Sequence, residues 1–265
     1  MYFLSVVLIG TVYPIFLEVI TSEKISVGPP FYNKLFIPFL IPFLFIMSIG
    51  PNIKWIRHNF KFINLRLILL FFFSIFISYL ILIKSEPNTL FVTILLVFSI
   101  YLLFITIRDF FVSNQINFSQ KISHFGFGLL TLSIVLNGMF SNEIITNIKV
   151  GEKYKLKNGS IFFENIKSHE RKNYISIIGN FRIKENNNKE IFFNPELRIF
   201  NQPNIVTSEA DIKTNLVSDK FLVMNLVKGN DYYNIRYQTK PFMIWIWISS
   251  ILMAIGGLTN FFKKK

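Results

Sequence analysis

The chain has no cysteine. This excludes disulfides, a CxxC redox pair, a thiol nucleophile and iron–sulfur ligation by its own residues. Histidine and tryptophan are scarce, with three of each. No HExxH pair and no glycine-rich phosphate loop is present, so the common zinc-hydrolase and nucleotide-binding motifs are absent. Acidic residues are outnumbered 15 to 28 by Lys and Arg, giving a formal net charge of +13. Such a balance invites a nucleic-acid reading, but the placement of the charges points elsewhere.

Apolar residues are plentiful. They make up 52% of the 265 positions, include 32 Phe and fall in blocks. Blocks at 2–20, 35–50, 67–83, 89–107, 122–140 and 241–262 each approach the ~20 residues needed to cross a bilayer. The first lacks a basic start and a small-residue cleavage site, and Pro14 and Glu18 interrupt its second half, so it does not read as a cleavable signal peptide. With six spans, Lys54, Arg57, Lys61 and Arg66 share a side with Arg108, Lys121 and the tail Lys263, Lys264 and Lys265. The opposite short loops carry only Lys24, Lys34 and Lys84. The positive-inside rule then places both termini in the cytoplasm and the polar segment 141–240 outside. The charge reports topology, the partner it implies is the lipid bilayer, and nucleic acid is excluded.

Segment 141–240 changes period from helical to alternating. Lys153–Leu156 and Ser160–Phe163 flank Asn158-Gly159, a strong hairpin signal. Tyr174–Lys184 alternates and breaks at Glu185-Asn186-Asn187-Asn188. Further short strands are expected at Ile191–Phe193, Leu197–Phe200, Phe221–Val227 and Tyr232–Tyr237, the last two joined through Lys228-Gly229-Asn230-Asp231. The fold class is an α-helical polytopic membrane protein of about six helices with an inserted extracytoplasmic β-rich sandwich or barrel. The expected divisions are a five-helix bundle at 1–140, the β-domain at 141–240, and a C-terminal helix with basic tail at 241–265. Both ends of the β-domain are tied to membrane helices, which should hold it near the bilayer surface.

His124 stands out because it lies one turn inside the apolar span Ile122–Phe140. An ionisable group at membrane depth needs a partner, a wet cavity or a function. On a helix it shares a face with Gly128, Thr131 and Val135, small enough to admit a flat macrocycle or another backbone. Residue chemistry alone favours a snorkelling or interhelical hydrogen-bonding histidine, with iron ligation as the rival. His58 reads as a solvated loop residue and His169 as a polar turn residue. Topology separates the three, so they form no common metal site. The loop Ile25–Asn33 contains Gly28-Pro29-Pro30 and is expected to be stiff and extended. Trp245 and Trp247 suit an interfacial aromatic belt.

Several ordered segments resemble the C-terminal part of the CcmF-type subunit of the cytochrome c maturation (system I) haem lyase. They are Gly10-Thr11-Val12-Tyr13-Pro14, Ile25 to Asn33, Ser123-His124-Phe125-Gly126, Pro195-Glu196-Leu197-Arg198, Ser208 to Ile212, Ile235-Arg236, Lys240 to Trp247 and Met253 to Gly257. The resemblance implies that His124 is one axial ligand of a transmembrane b-type haem (haem b), the cofactor whose iron it would hold. That haem would keep the substrate haem reduced with quinol electrons. The implied partners are the N-terminal half of the haem lyase subunit, other cytochrome c maturation proteins, a haem chaperone and apocytochrome c. The implied location is the bacterial inner membrane, or the mitochondrial one. The family's tryptophan-rich haem-handling segment, outer histidines and second b-haem ligand fall before residue 1. A split-gene product or a fragment is therefore expected, one that is not a complete lyase and has no catalytic residue of its own. The rival reading is a non-catalytic membrane scaffold or transporter-accessory protein with a periplasmic β-domain. Glu209 and Asp211, read as one strand, should share a face and either lie in solvent or pair with Arg198 or Arg236.

Overall fold

The computed structural model describes the chain except for residues 23, 53–64, 86–88, 113–115, 158, 186–188, 228, 230 and 263–265. Its helices are α1 (Tyr2–Thr21), α2 (Pro29–Ile49), α3 (Leu65–Leu82), α4 (Leu90–Val112), α5 (Phe118–Phe140) and α6 (Met243–Phe262). The first five are long and apolar enough to cross a bilayer, and α6 is apolar over Met243–Thr259. The protein is a multi-pass membrane protein.

One helix end differs from expectation. The Gly28-Pro29-Pro30 segment is not wholly extended, because α2 begins at Pro29 with Gly28 as its extended N-cap. Proline is well suited there: the first-turn N–H groups have no helical acceptor, and the ring pre-sets the helical φ. Pro14 lies inside α1, which runs to Thr21 as the block 2–20 implies and ends on Ser22 at φ 60. Spanning helices tolerate proline because the lipid offers the backbone no other way to meet its hydrogen bonds.

The chain divides into two compact units, residues 1–135 with 245–265, and residues 136–244. In the helical unit α4 is the central element, packed against α2 and α3 with Leu95, Leu96, Leu102 and Ile105 buried. Several buried hydroxyls here are satisfied within their own helices. The hydroxyls of Ser48, Ser78, Ser99 and Thr106 donate to the carbonyls of Leu44, Ser74, Leu95 and Leu102 at 2.8, 2.7, 2.7 and 3.0 Å. This solves the problem of placing an O–H where there is no water.

The second unit is a β-sandwich of ten strands among the described residues: β1 (Asn142–Ile148), β2 (Lys153–Leu156), β3 (Gly159–Glu170), β4 (Tyr174–Glu185), β5 (Glu190–Phe193), β6 (Glu196–Phe200), β7 (Ile205–Glu209), β8 (Asp211–Thr214), β9 (Ser218–Leu226) and β10 (Tyr233–Pro241). One sheet has the order β1-β10-β9-β8, the other β2-β3-β4-β6-β7, with β5 also on β4. Asn158 lies outside the described residues, but Leu156 pairs with Gly159 as a hairpin there requires. Gly159 takes φ 151, and a Cβ on it would come 2.2 Å from the Lys184 carbonyl, so only glycine fits. The turn residues 186–188, 228 and 230 are also outside the described set.

Between the sheets, Ile148, Ile161, Phe163, Phe181, Ile183, Phe193, Leu197, Leu222, Met224 and Ile235 form one buried core. The Phe163 and Phe181 rings stack at 4.1 Å, and Tyr233 meets Phe163 edge-on at 5.5 Å. Burial of each such side chain contributes about 1.5–3 kcal/mol, and this holds the two sheets together.

Expectations for two polar positions are corrected. His169 is an exposed strand residue of β3, paired with Ser176, because the turn comes only after Glu170. Glu209 and Asp211 do not share a strand: β7 ends at Glu209 in one sheet, and β8 starts at Asp211 in the other. Ala210 is the crossing point. Glu209 lies directly opposite Glu196, and such like-charge pairs are unfavourable. Arg198 resolves this by reaching both, Glu196 at 2.8 Å and Glu209 at 3.4 Å. The guanidinium, with the Ser176 hydroxyl, holds the Glu196 carboxyl below the usual range. Its contribution to stability is therefore present above that range and lost as pH falls through the lowered value. Arg236 pairs with Glu143 instead, and Asp211 accepts the Asn194 N–H at 2.7 Å.

Phe163→Ala should destabilise the sandwich by about 3–5 kcal/mol. Pulse proteolysis of the intact chain in detergent would measure this. A loss below about 1 kcal/mol would show that the Phe163–Phe181 stack is not central to the core.

Candidate functional site

His124 lies on α5, six residues after its first, Phe118. At 1.5 Å per residue that is about 9 Å along the axis. The helix forms here because the apolar run continues through Phe140, while Gly126 and Gly128 are kept helical by what packs against them. His124 is partly buried and forms no hydrogen bond or ion pair with a described residue. Thr131, on the same face, donates to the carbonyls of Phe127 and Gly128, both at 3.0 Å.

The small face below the imidazole is partly filled. A Cβ at Gly128 would lie 3.2 and 3.3 Å from Leu103 of α4. The neighbour at that level is therefore α4. Phe110 of α4 also meets Phe118 and Phe125 of α5 edge-on, with centroids 6.1 and 6.3 Å apart. Just before it, Arg108 and Asp109 form a mostly buried ion pair at 2.8 Å.

Sequence reasoning missed the seam between α5 and α6. Ser119 donates to the Gly256 carbonyl at 2.5 Å. A Cβ at Gly256 would come 2.2 Å from the Ser123 hydroxyl, and one at Gly126 would meet the Ser249 carbonyl at 3.0 Å and Met253 Cγ at 2.9 Å. The seam thus runs through Ser119, Ser123 and Gly126 on one helix and Ser249, Met253 and Gly256 on the other, the small-residue spacing that lets helix backbones approach in lipid. The spacing was visible in the sequence, but its partner was not. His124 sits between two seam residues, so α6 fixes the rotation of the helix that presents it.

The remaining histidines do not join it. His58 lies outside the described residues, and His169 belongs to the other unit. Among the described residues no group of three or more His, Asp or Glu could hold a metal. The β-unit has a half-open cavity of about 340 Å³, bordered by Phe140, Leu156, Glu185, Lys220 and Tyr237. Lys220 and Glu185 form an ion pair in its wall, and burial pushes the Tyr237 phenol up. No nucleophile and base are paired there.

Comparison with known proteins agrees with this architecture. Residues 139–241 match the family model described as the CcmF C-terminal beta-sandwich. The cytochrome c-type biogenesis protein CcmF of Pseudomonas fluorescens is 26% identical over 96% of this chain, and that of Escherichia coli K12 is 24% identical over 98%. The chain spans about 40% of the length of these relatives, 40% and 41% respectively. A solved structure of the cytochrome c haem lyase CcmF superposes with TM-score 0.71 at 19% identity, covering 97% of this chain and 43% of that one, which shows a shared fold. In sequence over nearly its whole length, in the order of its elements and in its β-sandwich, the chain matches the C-terminal part of the CcmF-type subunit.

Proposed function

We propose that this chain is the C-terminal portion of a membrane haem lyase subunit in cytochrome c maturation, and that His124 supplies one axial ligand to a transmembrane b-type haem. The observation that carries this is an imidazole at membrane depth with no partner among the described residues, on a helix fixed against α6 by the Ser119 hydroxyl and the Gly126 and Gly256 contacts. A neutral imidazole nitrogen is a suitable donor to haem iron, and histidine is not otherwise tolerated cheaply at that depth. The donor fits the group, although Leu102 and Leu103 occupy the face beneath it and confine a macrocycle to the region beside or above His124.

The roles of this chain's own residues follow. His124 binds the iron, and Ser119, Ser123, Gly126 and Gly256 set the rotation of α5 so that the imidazole points one way. When bound, the haem supplies a one-electron carrier. The second ligand and the haem-attachment chemistry belong to an N-terminal half. Apocytochrome c, a haem chaperone and other maturation proteins are the partners this reading brings. The loop and tail lysines and arginines put His124 toward the cytoplasmic side and the β-sandwich outside, with both termini cytoplasmic in a bacterial inner membrane.

Co-expression with the N-terminal half of a CcmF-type relative should yield a Soret band of bis-imidazole type. His124→Ala should reduce that band to background with the protein still folded, whereas His169→Ala should leave it unchanged. A wild-type complex containing both halves and no haem would instead favour a scaffold.

Gly256→Leu leaves His124 in place but forces α6 away from Ser123, at a cost of about 1–3 kcal/mol from overpacking. Its Soret band should weaken or shift, while the β-sandwich keeps its protease resistance. An unchanged spectrum would remove the seam from the haem-positioning role.

Orientation is tested separately. Cysteine at Asn173, in the β3–β4 turn, should react with a membrane-impermeant maleimide in intact cells, and cysteine at Asn117, before α5, should react only after lysis. The opposite pattern would overturn the topology and the cytoplasmic placement of His124.

A further inference from the structure

We propose that the β8–β9 turn of the sandwich is a bilayer-contact site, with the Leu216 and Val217 side chains entering the headgroup region of a phospholipid membrane. Both residues are 66% exposed, although they are adjacent, apolar and at the tip of a tight turn. The turn is built to hold them there. The Asn215 side-chain oxygen accepts the N–H groups of Val217 and Ser218, both at 2.8 Å, and the Asn215 N–H donates to the Ser218 carbonyl at 3.2 Å. A side-chain cap of this kind fixes the backbone independently of what the two apolar groups touch.

Chain geometry says what covers them. Ser218 pairs with Pro241 in the β9–β10 ladder, and the Phe242 N–H donates to the Val217 carbonyl at 2.9 Å. The next residue, Met243, opens α6. A helix of 20 residues is about 30 Å long, the thickness of the hydrocarbon core, so its first residue has to lie at the boundary of that core. The Val217 backbone is hydrogen-bonded one residue before it. Trp245 and Trp247 occupy the first turns of α6, where indole rings sit at membrane interfaces, and Trp247 is 67% exposed.

The joint is stiff. Phe242 takes φ 60, which a bulky residue adopts only when its surroundings impose it, and the bond to Val217 is part of that constraint. The Asn137 amide of α5 also donates to the Pro241 carbonyl at 2.6 Å. At the same end of the β-unit, Phe140, Leu156, Lys157 and Thr239 border one cavity, which brings the exposed Lys157 to the end that bears the turn. A cation beside an apolar tip matches the chemistry of anionic phospholipid: phosphate at the rim and acyl chain below.

The test uses the full chain reconstituted in vesicles of phosphatidylethanolamine and phosphatidylglycerol. Single cysteines at Leu216, Val217 and, as a control at the far end of the sandwich, Asn173 carry an environment-sensitive fluorophore. Thermal unfolding of each labelled protein confirms the fold, and all three sites are exposed turn positions. The proposal expects blue-shifted emission at Leu216 and Val217, quenching by lipids brominated near the headgroup, and several-fold less quenching by iodide than at Asn173. Emission quenched by iodide at all three sites would place the turn in water and overturn the proposal. Emission reached by neither quencher would mean that protein covers the turn, which also overturns it. Leu216→Asp gives an independent readout: with the label at Val217, the lipid quenching should fall and the iodide quenching should rise.

Discussion

The close approach of α5 and α6 is the constraint on which the other features depend. In lipid, apolar side chains gain little by leaving lipid for each other, so two helices stay together through packing and hydrogen bonds. Here Ser119, Ser123 and Gly126 meet Ser249, Met253 and Gly256 at separations that permit no added Cβ. The same two helices run directly into β1 and β10, which pair in register from Asn142 with Thr239 to Ile148 with Tyr233. One antiparallel helix pair thus continues along the chain as one antiparallel strand pair. A change of rotation in α5 would have to be absorbed either by the small-residue seam or by the residues that join helix to strand.

Most of the fold was legible in the sequence, for reasons that differ by region. Each membrane helix is a long apolar block and cannot be mistaken for anything else at that length. Strands β2 to β6, β9 and β10 were visible because they alternate and end on Gly, Asn or Pro. The three strands that were missed share a weakness. β1 (Asn142–Ile148) is largely exposed at the edge of its sheet, and β7 and β8 are four or five residues long, with exposed Ile205, Val206 and Ile212. A short edge strand buries too little to leave a period. For the same reason Ser208 to Ile212 read as a single strand: no turn residue marks the change of sheet at Ala210, and only the two-sheet core reveals it. The proline-led start of α2 was misread because Gly-Pro-Pro was weighed as a breaker when, at the first turn, it is a starter.

The candidate site was legible in one residue and illegible in its surroundings. His124 is conspicuous by charge in an apolar run. The residues that orient it are Ser and Gly, which carry no chemistry of their own, and their importance lies in the partner helix more than a hundred positions away. Sequence periodicity can mark a small face, but it cannot name what fills that face. The structure fills the Gly128 level with Leu102 and Leu103 and the Gly126 level with Met253 and the Ser249 carbonyl, so at both levels a neighbouring helix takes the small residue.

The polar groups of the membrane helices give the final step. A buried hydroxyl can be satisfied cheaply by the carbonyl three or four residues back, and Ser48, Ser78, Ser99, Thr106 and Thr131 all use that route. Imidazole has two ring nitrogens, so one is left over even when the other donates to such a carbonyl, and His124 forms no hydrogen bond with a described residue. A histidine at this depth must therefore find its partner outside its helix. The partner it needs has to present an acceptor, a proton or a metal at the side of α5 that Leu102, Leu103 and Met253 leave open. A neighbouring helix can supply an acceptor, as the Gly256 carbonyl does for Ser119, and under the proposed function a haem iron would be the partner. The haem-ligand reading of His124 and the purely structural one differ in which of these partners fills that side of α5.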